Sequence, residues 1–299
     1  MQLEIRTSNL VKSYRDKTVL KNIDFKIDQS GVYLIAGPNG SGKTTFLEIL
    51  VGLRKPNSGE VTINQMNPEN TKMKQEVGFL TQQNTLRKNC TIKEELNLIK
   101  EIFKLDVDTY EYLSKFNLQE HYHTKTKKLS GGTKRRVLIA MLLMPKYKIL
   151  VLDEPVSGLD TFSRDEIWNM IRDYAEENIV ITSDHYLNQA SQYCDYIYLL
   201  NDGEIILHGE TEQLIRNFQY SHVIKTRKQH MGKLKGILQA DYDSLDVKVS
   251  GSVYNLFTNK EGISTSNEVL YSNKFGYHPV NLEDIYFYHT GTFVQGESV

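Results

Sequence analysis

The sequence has little cysteine and no long apolar run. Its two cysteines, Cys90 and Cys194, lack the spacing of metal ligands and favour free thiols in a reducing compartment. The longest strongly apolar run, residues 137–144, is far too short to cross a bilayer. Glu4 and Arg6 interrupt the first apolar segment, which is therefore not typical of a signal peptide. Any membrane role is expected to depend on a partner.

An excess of charge of either sign is also missing. Thirty-six basic residues oppose 37 acidic residues, which gives a net charge of −1. This balance provides no general electrostatic attraction to nucleic acid or to an anionic membrane, so no nucleic-acid partner is expected. The 299 residues, 24% charged and 39% hydrophobic, are typical of globular protein and suggest two domains.

A phosphate-loop pattern, G-x-x-x-x-G-K-[ST], is present without a gap. An apolar, β-prone run at residues 32–36 precedes it, and apolar residues at helical spacing follow over residues 46–53. The motif thus joins a predicted strand to a predicted helix, which is the context that supports it. We refer to these nine residues as the phosphate loop: Gly37, Pro38, Asn39, Gly40, Ser41, Gly42, Lys43, Thr44 and Thr45.

The chemistry of phosphate binding explains these residue types. Glycines let several backbone N–H groups turn toward one phosphate chain, and the following helix adds the positive end of its dipole. Lys43 supplies a positive charge for the β- and γ-phosphates, and Thr44 supplies a hydroxyl for Mg²⁺. The sequence therefore predicts a site for a phosphorylated nucleotide with Mg²⁺.

Two further predicted strands end in polar residues. The apolar residues 149–152 run directly into Asp153 and Glu154, as expected of a buried parallel strand whose carboxyl end binds ligand. Asp153 suits a Mg²⁺ ligand, and Glu154 suits a base that activates water. The apolar strand predicted at residues 179–182 is followed by His185, which can hydrogen-bond a γ-phosphate.

The remaining segments of the first 218 residues carry weaker signals. Two strands around a turn are predicted for residues 3–30, with Tyr14 placed just before the turn, where its ring can stack on a base. A strand is predicted to end at Gln82, and residues 91–118 have a helical pattern. Within a basic run, Ser130, Gly131 and Gly132 open a helix, where their N–H groups can meet an anion.

After a predicted hairpin at residues 196–209 the composition changes near residue 219. Short β-type segments are predicted at residues 222–226, 245–249 and 253–257, and a last helix at about 281–288. We expect a small α/β unit that packs on the preceding domain or on a second subunit. Its predicted anchor is the aromatic cluster Tyr286, Phe287 and Tyr288.

These motifs, in this order and spacing, resemble the ATPase subunit of an ATP-binding cassette (ABC) transporter over about residues 3–218. The resemblance implies that Tyr14 stacks on adenine and that residues 37–44 are the Walker A loop. It also implies that Ser130, Gly131 and Gly132 are the signature loop. Thr133 departs from the family, which usually has glutamine at that position.

The same resemblance assigns the hydrolytic residues. It implies that Gln82 touches Mg²⁺ and senses the membrane subunit, although the adjacent Gln83 leaves this assignment ambiguous. Asp153 and Glu154 match the Walker B pair, residues 157–160, which end at Asp160, match the D-loop, and His185 matches the switch histidine. The Asp184 that precedes His185 is unusual and has no explanation in the sequence.

The implied fold class is α/β, a P-loop NTPase with a RecA-like core sheet, an antiparallel β subdomain and a helical lobe at about residues 86–144. A nucleotide-binding domain is expected at residues 1–218, and a small α+β accessory domain at residues 219–299. The resemblance implies ATP and Mg²⁺ as cofactors. Each ATP would lie between the Walker A loop of one subunit and the signature loop of a second copy or a related subunit.

The function implied is ATP hydrolysis that powers export through a separate membrane-spanning permease, with the chain at the cytoplasmic face of the membrane. One alternative is a soluble ABC ATPase that does not act in transport. The single cassette disfavours a translation factor, and the segment between Gln82 and Ser130 is too short for a chromosome-type coiled coil. Another alternative is a regulatory module without hydrolysis, which the intact Lys43, Asp153, Glu154 and His185 disfavour.

Overall fold

The computed structural model describes residues 3–238, 245–259 and 275–294. The strands in chain order are β1 (Ile5–Tyr14), β2 (Lys17–Ile27), β3 (Gly31–Ala36), β4 (Ser58–Ile63), β5 (Val77–Leu80), β6 (Ile149–Asp153), β7 (Ile179–Asp184), β8 (Tyr196–Asn201), β9 (Glu204–Glu210), β10 (His222–Arg227), β11 (Asp246–Ser250), β12 (Val253–Thr258) and β13 (Phe275–Pro279). The helices are α1 (Lys43–Leu50), α2 (Thr71–Glu76), α3 (Ile92–Phe103), α4 (Thr109–Ser114), α5 (Gly131–Leu143), α6 (Thr161–Ala175), α7 (Leu187–Ala190), α8 (Thr211–Arg216), α9 (Met231–Leu238) and α10 (Leu282–Thr290).

A six-stranded sheet with the order β5-β6-β7-β3-β8-β9 forms the centre of the molecule. Its first five strands are parallel, and β9 pairs with β8 antiparallel. Every residue of β3, β6 and β7 is buried, as expected for apolar parallel strands covered on both faces. In the register of the sheet, Ala36 lies opposite Asp184, and Asp153 lies opposite Ser183. The carboxyl ends of these three strands therefore meet at one edge.

The antiparallel sheet β2-β1-β4 covers one side of this centre. Its inward residues, such as Leu10 and Phe25, form a core with Phe46 of α1 and Tyr198 of β8. The rings of Phe25 and Phe46 meet edge to face, with their centroids 5.1 Å apart. This packing fixes the start of α1, and with it the phosphate loop, against the central sheet.

Helices α3, α4 and α5 form the helical lobe, with its own apolar core. The helical pattern predicted for residues 91–118 is not one helix, which corrects the sequence interpretation. Helix α3 ends where Lys104 adopts a left-handed conformation (φ 51°), and Asp108 then caps α4 through the N–H groups of Tyr110 and Glu111. The lobe packs on the rest of the molecule through α5, which contacts β5 and α6.

The last part of the chain forms the sheet β11-β12-β10-β13, which is antiparallel throughout. Its two faces have different partners. Val223 and Phe257 on one face join the apolar core of the central sheet, whereas Ile224 and Leu256 on the other pack against α9. The predicted strands at residues 222–226, 245–249 and 253–257 are therefore confirmed as β10, β11 and β12.

Helix α10 anchors this sheet to the rest of the molecule. Tyr286 and Phe287 are fully buried in the core of the central sheet, and the Tyr286 hydroxyl donates to Asn201 Oδ1 at 2.9 Å. Tyr288 is half-buried and donates to Asp246 Oδ2 at 2.7 Å. The predicted aromatic anchor is thus confirmed, and it packs on the same chain. None of the helices in the described residues is both long enough and apolar enough to span a membrane.

Candidate nucleotide site

The phosphate loop connects β3 to α1 at the edge where the parallel strands end. Gly42 has φ 109°, and a Cβ atom there would lie 2.8 Å from Leu20 Cδ2 and 2.9 Å from the Val19 carbonyl oxygen. At Gly37 a Cβ atom would overlap the carbonyl oxygen of Leu200. Both positions therefore require glycine, one for its backbone conformation and both for close approach to neighbouring chain.

Two polar side chains of the loop are buried. Lys43 is 5% exposed, and its Nζ donates to the carbonyl oxygens of Gly37 at 2.8 Å and Pro38 at 3.1 Å. Burial lowers the pKa of Lys43, while the nearby carboxylates of Glu154, Asp153 and Asp184 oppose that shift. The buried Ser41 hydroxyl has no hydrogen-bond partner within the described residues. A cation and an unpaired hydroxyl in one buried loop fit the oxygens of a phosphate chain.

Side-chain oxygen atoms from α1, β6 and β7 meet at this loop. The Thr44 hydroxyl donates to Asp153 Oδ2 at 2.8 Å, and the Ser183 hydroxyl donates to Asp153 Oδ1 at 2.6 Å. Hard oxygen donors of this kind fit Mg²⁺, which is usually held by one or two protein ligands together with phosphate and water. No group of three or more His, Cys, Asp or Glu side chains in the described ranges could hold a metal. A metal ion here would need phosphate and water for its remaining ligands.

Glu154 lies just beyond β6, with its carboxylate between two other predicted site residues. Gln82 Nε2 donates to Glu154 Oε2 at 2.9 Å, and His185 Nδ1 lies 3.7 Å from Glu154 Oε1. Glu154 has a left-handed backbone (φ 46°), and its N–H donates to the Ser183 hydroxyl at 3.0 Å. The sheet thus assembles three predicted residues that are far apart in the sequence.

The strand expected to end at Gln82 ends two residues earlier, at Leu80. Asn84 Oδ1 accepts hydrogen bonds from the backbone N–H and the hydroxyl of Thr81, at 2.6 and 2.8 Å, and so closes a turn after the strand. This turn presents Gln82 to Glu154. Of the two adjacent glutamines, Gln82 therefore makes the contact.

Sequence reasoning missed Arg135 as a site residue, because within the basic run it singled out only Ser130, Gly131 and Gly132. The Arg135 guanidinium donates through Nε to the Pro155 carbonyl oxygen at 2.7 Å and through Nη2 to the Glu154 carbonyl oxygen at 3.2 Å. Burial lowers the pKa of Arg135, against the attraction of Asp153. Arg135 thus holds the left-handed backbone of Glu154 from the helical lobe. No sequence signal distinguishes it from its basic neighbours.

The signature loop forms the start of α5. The Ser130 hydroxyl accepts the Thr133 N–H at 3.1 Å and lies 2.8 Å from the Thr133 hydroxyl, so Thr133 completes the helix cap. A Cβ atom on Gly132 would overlap the Ser163 hydroxyl, whereas Gly131 is open. Asp160 caps α6 next to this loop, because its Oδ1 accepts the Ser163 N–H at 3.0 Å. That bond lowers the pKa of the exposed Asp160 carboxyl.

Neither the signature loop nor Tyr14 joins the cluster around Glu154. Within residues 3–238, no hydrogen bond or ion pair links the signature loop to the phosphate loop. Tyr14 ends β1 with 38% of its surface exposed. The Lys12 Nζ and Arg54 Cζ atoms lie 5.3 and 5.2 Å from the centre of its ring. The ring is therefore partly accessible, with two cations near it.

A mostly parallel sheet with a phosphate loop after β3 and an Asp-Glu pair at the end of β6 defines a phosphate-loop nucleoside triphosphatase. Residues 20–157 match the family model described as ABC transporter. The Bacillus subtilis protein described as uncharacterized ABC transporter ATP-binding protein YxlF is 33% identical over 236 residues, which cover 77% of this chain and 78% of that protein. The chain belongs to the family of ABC transporter ATP-binding proteins; it binds ATP and is an ATPase.

Other relatives extend the similarity beyond the nucleotide motifs. The Nod factor export ATP-binding protein I of Burkholderia lata is 28% identical over 296 residues, which cover 96% of this chain and 97% of that protein. A solved ATP-binding cassette of an ABC transporter in its ADP conformation is 26% identical with a TM-score of 0.64, covering 73% of this chain and 94% of the other. A dimeric cassette bound to ADP and Pi is 29% identical with a TM-score of 0.60, covering 69% and 98%.

Proposed function

We propose that this chain powers export through a separate membrane-spanning permease, at the cytoplasmic face of the membrane. The observation that carries the proposal is the meeting of Gln82, Glu154 and His185 beside the phosphate loop, which supplies the parts of an ATP-driven motor. Similarity to a Nod factor export subunit over 96% of this chain supports the direction of transport. The residue roles below are part of the same proposal.

Binding of ATP rests on the phosphate loop and Tyr14. The backbone N–H groups of residues 37–45 and the Lys43 ammonium hold the phosphate chain, and the Tyr14 ring stacks on adenine. Thr44, Asp153 and Gln82 would hold Mg²⁺. When bound, the ion neutralises negative charge on the phosphate oxygens.

Hydrolysis then depends on two residues that follow neighbouring strands. Glu154 accepts a proton from the attacking water and orients it, while its backbone is held by Ser183 and Arg135. His185 hydrogen-bonds the γ-phosphate from the end of β7. Little covalent chemistry is needed from the protein, because positioning and charge neutralisation provide most of the rate enhancement.

The second half of each ATP site comes from another subunit. Ser130, Gly131 and Gly132 open α5 with free N–H groups, and Asp160 lies beside them at the start of α6. In a head-to-tail dimer with a second copy or a related subunit, these residues face the partner's phosphate loop. Closure of the dimer on ATP and its opening after hydrolysis would move the permease.

The permease would dock on the segment after Gln82. This segment lines a cavity of about 670 Å³ between the central sheet and the helical lobe. Its wall combines apolar Leu86 and Leu138 with the cations Lys88 and Lys134, and it reaches Glu154. A short cytoplasmic helix of the permease seated here would therefore sense Gln82 and Glu154 directly.

The assignment of Glu154 is tested by Glu154→Gln. This variant should bind ATP with unchanged affinity and lose roughly 10²- to 10⁴-fold in hydrolysis, the usual contribution of a positioned base. It should also accumulate as an ATP-bound dimer in size-exclusion chromatography. The control is Glu177→Gln, an exposed residue in the turn after α6. Hydrolysis by Glu154→Gln near the wild-type rate would contradict the proposed base.

The permease is tested by Lys88→Glu, because Lys88 is exposed and lines the proposed docking cavity. The variant should retain basal ATPase as the isolated subunit and lose co-purification with a polytopic protein from detergent-solubilised membranes. Lys74→Glu, an exposed lysine on α2, is the control. If the wild-type chain never leaves the soluble fraction of its native cell, a non-transport ABC ATPase becomes the better assignment.

A further inference from the structure

A reciprocal pair of hydrogen bonds joins the C-terminal helix α10 to the short helix α7. Asn188 Nδ2 donates to Glu283 Oε2 at 2.9 Å, and the Glu283 backbone N–H donates to Asn188 Oδ1 at 3.3 Å. The second bond satisfies one of the N–H groups that every helix leaves unpaired in its first turn. Two bonds fix the orientation of the Asn188 amide. The helix α7 is therefore tied to α10 at a defined position.

The helix α7 begins two residues after His185, so its position and that of His185 are linked. The carbonyl oxygen of Tyr186 accepts the N–H groups of Gln189 and Ala190, at 3.1 and 2.9 Å. The His185 and Tyr186 rings are in contact, with their centroids 4.3 Å apart. A shift of α7 relative to the sheet would therefore move His185 relative to Glu154.

A helix of four residues is not stable by itself, so α7 depends on its neighbours. On the cassette side, the Asp184 carboxylate accepts the Tyr186 N–H at 2.8 Å, and Arg164 of α6 stacks on the Tyr186 ring at 3.9 Å. On the C-terminal side, Leu187 shares an apolar core with Leu282 of α10. The Asn188–Glu283 pair is the polar part of this contact.

The helix α10 is itself held firmly, so it can act as a support. Asn281 and Asp284 form a reciprocal capping box at its start, and Lys225 of β10 lies 2.7 Å from Asp284 Oδ1. The Tyr286 hydroxyl bonds Asn201 on the cassette. Burial also raises the pKa of the Glu283 carboxyl.

We propose that Asn188 and Glu283 are positioning residues for ATP hydrolysis: the C-terminal region holds α7 and thereby sets the place of His185 beside Glu154. This inference rests on the proposed role of His185. The region after residue 219 would thus contribute to ATP turnover, although it contains none of the nucleotide motifs. Contact with ATP is not required for this role, because both residues act through the backbone of residues 185–190.

The first test is steady-state kinetics of the full-length protein. Asn188→Ala and Glu283→Ala should each lower kcat by about 3- to 30-fold, the range expected from a small misplacement of a catalytic group, with little change in KM for ATP. Glu283→Gln keeps a carbonyl acceptor for Asn188 and should restore kcat. Tyr286→Phe is the matched control, since it also removes one hydrogen bond between α10 and the cassette, but that bond is made to Asn201 of β8 and not to α7. The kcat of Tyr286→Phe should equal the wild-type value, even if its melting temperature falls as far as those of the two alanine variants.

The second test is a double-mutant cycle with His185→Ala, measured under single-turnover conditions. If Asn188 acts through His185, Asn188→Ala should cause no further loss of the hydrolysis rate in the His185→Ala background. A full additional loss there, or an equal loss of kcat in Tyr286→Phe, would overturn the inference. The inference would also be overturned if Asn188→Ala and Glu283→Ala both kept the wild-type kcat while His185→Ala was impaired. Wild-type turnover by His185→Ala itself would instead refute the proposed role of His185.

Discussion

At the scale of single residues, Asp184 is a carboxylate in an unfavourable place. It ends β7 beside the phosphate loop and is 2% exposed. Its Oδ1 accepts the Tyr186 N–H, but its Oδ2 has no hydrogen-bond partner among the described residues. Burial raises the pKa of Asp184, and this effect outweighs the opposing influence of its neighbours, His185 and Arg164 among them. The side chain thus helps to orient the chain after β7 at a cost in stability.

This cost predicts a pH-dependent effect of Asp184→Asn. A carboxyl whose pKa is raised by folding favours the folded state below its ordinary pKa of about 4, and this contribution is lost as the pH rises through the raised value. Asparagine keeps the acceptor for Tyr186 and cannot ionise. The variant should therefore melt at a higher temperature than the wild type at pH 8, and the difference should shrink toward pH 4.

Thermal unfolding across this pH range measures the effect, and the exposed Asp173→Asn of α6 is the control. A lower melting temperature of Asp184→Asn at pH 8 would contradict the interpretation, since the carboxylate would then be stabilising. A difference that does not change with pH would also exclude ionisation as the cause.

At the scale of elements, two helix starts lie side by side. Ser130 caps α5 and Asp160 caps α6, and Gly132 lets the two ends approach because its missing side chain leaves room for Ser163. Thr133 occupies the position where the family usually has glutamine. Its hydroxyl lies within hydrogen-bond distance of Ser130 Oγ, so threonine strengthens the cap. The start of α5 therefore keeps the geometry of an anion site with Thr133 present.

The composite site predicts complementation between two inactive variants. Ser130→Arg has an intact phosphate loop and should bind ATP, but its bulky side chain should block the site of the facing subunit. Lys43→Ala has a defective phosphate loop and an intact signature loop. Mixed dimers contain one intact composite site and should hydrolyse ATP faster than either variant alone. The control is a mixture of Ser130→Arg with the double variant that carries both Lys43→Ala and Ser130→Arg. Every signature loop in that mixture is defective, so no composite site is intact.

An ATPase assay of the mixtures decides whether each ATP is hydrolysed between two subunits or within one chain. If the mixture is no more active than the average of its components, each ATP is hydrolysed within one chain. Replacing Ser130 also removes a helix cap worth about 1 kcal/mol, so circular dichroism should first establish that both variants are folded.

At the scale of the whole molecule, the residues after 219 complete the main core. Val223, Phe257, Ile285 and Phe287 belong to the same apolar cluster as the central strands β3, β6 and β7. The cluster around α9 is separate and small. The C-terminal sheet is therefore built on the cassette, whose surface under α10 would be exposed without it.

This shared core predicts a large loss of stability in Phe287→Ala. The ring is fully buried and stacks on Phe293 with a centroid distance of 4.5 Å. Its removal should lower the free energy of unfolding by about 3–5 kcal/mol, measured by urea denaturation. Phe162→Ala is the control: Phe162 is 72% exposed and should change stability by less than about 0.5 kcal/mol.

Separate unfolding of the C-terminal region would contradict this account. In that case, urea denaturation of Phe287→Ala would show two transitions, of which only the first is shifted. Limited proteolysis of the wild type would then remove the residues after 219 and leave a stable core. A single shifted transition with the region protected is the result we expect.

The sequence by itself determined the parts whose chemistry is local. The phosphate loop, the Asp153–Glu154 pair and His185 could be predicted because each depends on a few consecutive residues next to an apolar strand. The C-terminal strands and α10 were predictable for the same reason, since alternating and helical patterns are short-range. Even so, the pattern over residues 91–118 did not reveal the break at Lys104.

Only the tertiary structure decided which of these parts meet. The order and register of the strands bring Glu154 between Gln82 and His185, and they bury Asp184. They also set Asn188 against Glu283, 95 residues away. The packing of the helical lobe places Arg135 where it donates a hydrogen bond to the Glu154 backbone. Such contacts depend on how the sheets and helices pack, and a one-dimensional pattern records which residues form each element but not which elements become neighbours.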